Sequence, residues 1–203
     1  MVKSRPEVFI IESLDIEDEK NKLFEGRIIS QVLHLSGKRS IYYYIRTKAE
    51  FKIILEEFKK SSYRYLHLSC HANKNAMYTT IDRIDFAELG RLLCPVLGNR
   101  RLFLSACSMA NNNLAQLILP KSKCYSIVGP TLKVAFNDAA ILLASFYHLM
   151  FKANATSMKR TELIVNVEKL AYLFNVPINC FSRDEKSASG YSSKIVKPIR
   201  ETN

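Results

Sequence analysis

Between residues 8 and 71 the sequence alternates three strand-like runs with two segments of helical periodicity, and few folds accommodate that order. The run at 8–14 (Val-Phe-Ile-Ile-Glu-Ser-Leu) is almost continuously apolar, the run at 40–47 is rich in tyrosine and isoleucine, and the run at 63–71 reads Tyr-Arg-Tyr-Leu-His-Leu-Ser-Cys-His. Between them Phe24, Ile28, Ile29, Val32 and Leu33 keep helical spacing up to the stop at Gly37, with Gly26 inside the pattern. Phe51, Ile54, Leu55 and Phe58 then recur at i, i+3, i+4 and i+7. Strand, helix, strand, helix, strand at this density is the pattern of right-handed crossover units. It predicts an α/β fold with a mostly parallel central sheet and helices on both faces.

The remainder continues the alternation. After a polar loop at 72–75, residues 76–81 alternate like a short strand or hairpin arm, an excursion off the main sheet. Asp85 with Glu88 resembles a capping box that opens a helix through Leu93, and Pro95 and Gly98 end it before a second apolar run, Arg101-Leu-Phe-Leu-Ser-Ala-Cys107. A short helix is predicted over 111–119, stopped by Pro120, and a strand over 124–130. Asn137-Asp138 is predicted to cap a strongly apolar helix to about Phe151, followed by an amphipathic helix over 158–174. From Ser182 the chain is rich in Ser, Lys and Arg and is expected to be loosely ordered, apart from short strands at 178–181 and 194–197. At 203 residues the expectation is one domain over 1–203.

Lys and Arg outnumber Asp and Glu by 30 to 19, a net charge of +11 that raises the question of nucleic acid. The basic residues are spread out, with Lys59-Lys60 and Lys159-Arg160 as mere pairs, which is the pattern of a solvated basic surface. The five cysteines are odd in number and form no CxxC pair; with no apolar leader at residues 1–6, this predicts free thiols and a cytoplasmic protein. No run approaches the ~18 apolar residues of a membrane span. Glycine-rich phosphate loops are absent.

Strand C-termini in a parallel sheet converge on the crevice where ligands bind, so the runs ending at His71 and Cys107 would set an imidazole beside a thiol. A thiolate is a strong nucleophile, and near the ordinary thiol pKa of ~8.5 only a small fraction is ionised at neutral pH, so it needs a proton-transfer partner. The 36 residues between them leave room for the excursion, a helix and the return on an adjacent parallel strand. Taken singly, a buried Cys or a strand-end His is more often structural, and the reading rests on the pair. His67, four residues before His71 on the same face, is read as a core histidine, and Cys70 as facing the opposite side. A zinc site through Cys107 lacks a credible ligand set.

The order of these elements resembles the caspase-like cysteine peptidases, and within them the CHAT family, whose cysteine block usually reads Leu-Ser-Ala-Cys as residues 104–107 do here. The strand and turn Ile-Val-Gly-Pro-Thr at 127–131 and the long helix carrying Phe146-Tyr147 add to the likeness, which covers about residues 63–151. The resemblance implies a three-layer sandwich and an endopeptidase in which Cys107 attacks the peptide carbonyl and His71 is general acid/base. The backbone N–H groups of the residue after the His and of the Cys would form the oxyanion hole, here Ala72 and Cys107. The family has Gly where Ala72 stands; alanine keeps the N–H.

The resemblance further implies that the residue two before the Cys, Ser105, lines the pocket for the side chain preceding the cleaved bond. Ser105 is small and neutral, and among the charged residues nearby Asp82 and Asp85 would accept a basic substrate side chain, Arg83 or Arg101 an acidic one. The expected partner is a protein or peptide substrate, with a regulatory protein such as a helical-repeat protein implied by the family; the chemistry requires no metal or organic cofactor. Two other classes fit the residues less closely: an inactive docking module that keeps the fold, and a basic nucleic-acid-binding α/β protein.

Overall fold

The computed structural model describes residues 4–198. Its first half is β1 (Arg5–Ser13), α1 (Ile16–Lys20), α2 (Glu25–Leu35), β2 (Ile41–Tyr44), α3 (Lys48–Lys60) and β3 (Tyr63–Ala72). The excursion after β3 is a hairpin of β4 (Ala76–Tyr78) and β5 (Arg83–Asp85), followed by α4 (Phe86–Leu93) and β6 (Arg101–Ser105). Then come α5 (Asn112–Ile118), β7 (Ser126–Pro130), α6 (Phe136–Ala153), α7 (Arg160–Leu173), β8 (Ile178–Arg183) and β9 (Tyr191–Val196). The main sheet runs β2-β1-β3-β6-β7-β8-β9, parallel from β2 to β7 and antiparallel at β8 and β9.

Both faces of the central strands are apolar because both are covered. Phe9, Ile11, Leu66, Leu68, Leu102 and Leu104 pack with Phe51, Leu55 and Phe58 of α3, Leu89 of α4 and Leu114 of α5. The alternate positions Val8, Ile10, Tyr65, Phe103 and Val128 pack with Ile29 and Leu33 of α2, Phe146 and Tyr147 of α6, and Val167 of α7. Burial of each such side chain contributes roughly 1.5–3 kcal/mol, so a polar residue on either face needs its own compensation. This is the expected three-layer α/β arrangement.

Several local expectations change. Helix α1 was not anticipated, since it has five residues and none is buried. It forms because the Asp15 side chain accepts from the Asp18 N–H at 2.8 Å and Glu17, Asp18 and Glu19 sit at the positive end of the helix dipole. Helix α6 starts one turn's fraction earlier than predicted, after Ala135 and without a side-chain cap, so Asn137 and Asp138 lie inside its first turn. The segment expected to be loose from Ser182 carries the end of β8 and the whole of β9, while residues 199–203 lie outside the described residues.

Gly26 has a packing reason. A Cβ there would stand 2.9 Å from Ile10 Cγ2 and 3.2 Å from the Tyr42 ring, so glycine lets the N-terminal turn of α2 press onto β1 and β2. The close approach brings the Gly26 N–H to Glu12 Oε1 at 2.7 Å and carries the neighbouring Glu25 into the interior.

Candidate active site

Ser69 of β3 pairs with Ser105 of β6, so the chain two residues further on each strand emerges at the same level of the C-terminal edge. Those residues are His71 and Cys107, and both line one cleft of about 280 Å³. Leu14, Asp18 and Glu25 close one side of it, and the 130–136 segment with the first turn of α6 closes the other. His71 is the penultimate residue of β3, paired with Tyr78 of β4, so the hairpin braces the histidine's backbone. Cys107 lies beyond β6 in a turn, half-buried. The next residue, Ser108, has φ 56°, a left-handed conformation rare for a residue with a side chain. Its carbonyl accepts from Asn111 Nδ2 at 2.7 Å, and Asn111 Oδ1 in turn accepts from the Leu114 N–H of α5, which ties the cysteine turn to the helix.

Helix α1 supplies what the sequence did not disclose. His71 Nε2 stands 2.6 Å from Asp18 Oδ2 and 3.5 Å from Asp15 Oδ2. A carboxylate only accepts, so the imidazole must carry its proton on Nε2, leaving Nδ1 as the free nitrogen. Asp15 divides its oxygens, Oδ1 capping α1 and Oδ2 facing the ring. The three facing atoms of Asp15, Asp18 and His71 lie within 4.8 Å of one another, a cluster held by the Nε2 proton between ring and carboxylates. The acidic composition of 15–19 was visible in sequence, but nothing there pointed to a contact 53 residues away.

Beneath the pair lies a buried polar network. Glu25, 2% exposed, accepts from Ser105 Oγ at 2.7 Å and Ser69 Oγ at 3.1 Å through Oε2. Among the described residues its Oε1 has no hydrogen-bond partner and faces His67 Nε2, likewise unpartnered, at 4.0 Å. Burial pushes the Glu25 carboxyl up to about 8, against the hydrogen bonds from Ser105 and Ser69. Burial drives His67 down to about 3, so the ring is neutral and its Nδ1 is hydrogen-bonded to the Tyr147 hydroxyl at 3.0 Å. Glu12, also raised by burial, is held by the Gly26 N–H and by the Tyr42 hydroxyl, which donates at 2.7 Å. Cys70 packs into the core cluster yet also lines this cleft beside His71, and burial pushes its thiol up to about 12, which makes it a poor nucleophile.

Of the residues singled out in sequence, His71, Cys107 and Ser105 come together in the cleft, with Ser105 turned onto Glu25, and Cys70, expected on the opposite side, lines it as well. Asp82 and Asp85 do not line it. Asp82 Oδ2 accepts from the Lys48 N–H at the start of α3, and Asp85 is the N-cap of α4, accepting from the Glu88 N–H at 2.8 Å, so both are spent on helix ends. Ala72 sits in β3 opposite Met77 and is not among the residues with positive φ. Ala72→Gly is therefore expected to relieve no strain: it should lower stability by about 0.5–1 kcal/mol through chain entropy and leave any cleavage rate nearly unchanged, which a denaturation curve and a rate assay would check.

The chain has a caspase-like fold. Its structure is similar to that of a secreted C11 cysteine protease from Bacteroides thetaiotaomicron, with a TM-score of 0.59 and 10% identity over 90% of this chain and 67% of the protease. The same protease in complex with an irreversible peptide inhibitor gives 0.59 and 9% over 88% and 66%, so this chain spans about two thirds of that protein's length. Caspase-1 from Spodoptera frugiperda gives 0.53 and 17% over 96% of this chain and 87% of the caspase. No protein-family model and no curated protein matches the sequence. No helix among the described residues is long and apolar enough to cross a membrane.

Proposed function

We propose that the protein is a caspase-like cysteine endopeptidase in which Cys107 is the nucleophile and His71 the proton-transfer residue. The observation that carries the reading is the register: Ser69 opposite Ser105 brings His71 and Cys107 to one cleft at the C-terminal edge of a caspase-like sheet. In the reaction the thiolate forms a bond to the peptide carbonyl carbon, the imidazolium gives its proton to the leaving amine as the C–N bond breaks, and water then hydrolyses the thioester. The N–H groups of Cys107 and Ala72 are the candidate donors to the oxyanion. Asp18 acts as a positioning residue, fixing one tautomer and orientation of the imidazole through the 2.6 Å contact. The substrate is a protein or peptide, and the finer likeness to the CHAT family, with a helical-repeat protein as regulator, belongs to this proposal.

A thiol-reactive peptidyl probe tests it: one-to-one labelling at Cys107 in the wild type and none in Cys107→Ala is expected, whereas labelling at another cysteine, or none with any peptide sequence, favours the inactive docking module. For Asp18→Asn the expectation is a fall in kcat/KM carried by kcat, with KM and melting temperature little changed, because the imidazole loses the partner that fixes its tautomer.

A further inference from the structure

At the other end of the sheet, where β3 and β6 begin, a cleft of about 620 Å³ is lined by Arg64, Arg100, Arg101 and Tyr125 together with two further tyrosines, Met158 and serine, asparagine and glycine residues. Arginines scattered along the sequence converge there. Arg64 bonds Ser4 Oγ, Ser4 O and Thr156 O; Arg100 bonds the carbonyls of Phe58, Lys59 and Ser61; Arg101 bonds Ser126 Oγ and Met158 O. Every one of these acceptors is a neutral oxygen, and among the described residues none of the three guanidiniums has a carboxylate within salt-bridge distance.

A guanidinium drawn out of water is normally compensated by an acid. Here the lining residues include no Asp or Glu, and Glu7, whose charge reaches Tyr63 on the rim, is engaged by Lys38 and the Arg39 N–H. The carbonyl contacts are sufficient to hold the side chains in place and use only part of their five N–H donors each; Arg100 is set against the C-terminal carbonyls of α3 and their dipole, but none of the three charges meets a carboxylate. Burial holds Arg100 and Arg101 below the usual guanidinium range, the mark of charge that water does not fully solvate. Tyr125, 44% exposed, stands beside Arg101 with its ring 5.6 Å from the guanidinium.

We infer that this cleft binds a phosphate-bearing nucleotide ligand, free or as part of a single strand, with phosphate on the arginines and a base against Tyr125. Its volume is within the range of small-molecule sites. The site is separated from the Cys107 cleft by the length of β6 and does not depend on the peptidase reading.

The test is fluorescence anisotropy with a labelled single-stranded decanucleotide of RNA, competed by ATP and by inorganic phosphate, on wild type, Arg64→Gln, Tyr125→Ala and Cys107→Ala, with melting curves for each. Wild type and Cys107→Ala should bind alike, and binding should weaken as salt rises from 50 to 200 mM with a log–log slope near −2, about −0.7 for each of three phosphates. Arg64→Gln should lose about 0.7 of that slope. Tyr125→Ala, an exposed position whose fold should survive, should bind about 10-fold more weakly, in keeping with ~1–3 kcal/mol per stacked base. Full displacement by ATP identifies a free nucleotide as sufficient, and resistance to ATP with retention of the decanucleotide identifies a strand; both support the site. Displacement by ATP well below the concentration of inorganic phosphate required supports it too; no binding at 50 mM salt, or binding equal to wild type by folded Tyr125→Ala and Arg64→Gln, overturns it.

Discussion

Cys107→Ala is expected to abolish peptide cleavage and His71→Ala to cost nearly as much, with both variants folded. Nucleophile and proton-transfer residue act as one unit, so removing either leaves only the assistance of the oxyanion donors and substrate binding, and the double variant should be scarcely slower than either single one. The fold should survive because neither side chain is part of a core: His71 is 43% exposed and Cys107 half-buried in a turn. Since the two residues act as one unit, each loss should exceed the factor of about 10² to 10⁴ typical of general acid–base transfer alone. A single-turnover assay on a peptide library, with melting curves alongside, is the measurement. Wild-type activity retained in Cys107→Ala would remove that thiol from the reaction, and additive losses in the double variant would mean that the two residues do not work together.

The parts of this arrangement that the sequence disclosed are those built from local periodicity. Alternation of apolar runs with helical spacing gave the order β1 to β3 because each strand is covered on both faces and each crossover helix shows one apolar stripe. That His71 and Cys107 reach one cleft followed from two runs of similar register. What stayed hidden was held by contacts between distant, individually unremarkable polar residues. Asp18 belongs to a helix with no buried face, so periodicity had nothing to detect, although Asp15 followed by three acids in four residues was an available N-terminal signal. Glu25 reads in sequence as an exposed acid at a helix start, and only the Gly26 contact with Ile10 and Tyr42 explains why it is inside. Asp82 and Asp85 misled for the converse reason: capping carboxylates and pocket carboxylates look alike until the helix they cap is placed.

Burial of Glu25 sets the second large effect, on stability rather than rate. An acid whose pKa is raised on folding, here from 4.5 to about 8, holds a proton in the native state that the unfolded chain has released, so its contribution to stability falls as pH rises between those values. Glu12, raised by burial as well, acts in the same direction. His67 acts oppositely: lowered from 6.5 to about 3, it stays neutral in the native state while the unfolded chain binds a proton, so stability rises with pH across that window. The Glu25 and His67 slopes offset each other between pH ~4.5 and ~6.5, and above that the Glu25 slope is no longer opposed by His67. Wild type is therefore expected to lose up to about 1.4 kcal/mol per pH unit from Glu25 between pH ~6.5 and ~8. Glu25→Gln keeps an acceptor for Ser69 and Ser105, adds a donor facing the unpartnered His67 Nε2, and cannot ionise. It should flatten the decline and be more stable than wild type at pH 9 even if it is less stable at pH 5. Urea denaturation of both proteins at pH 5, 6.5, 8 and 9 measures this directly, and parallel stability curves for the two would mean that Glu25 is not the buried acid whose proton the fold retains.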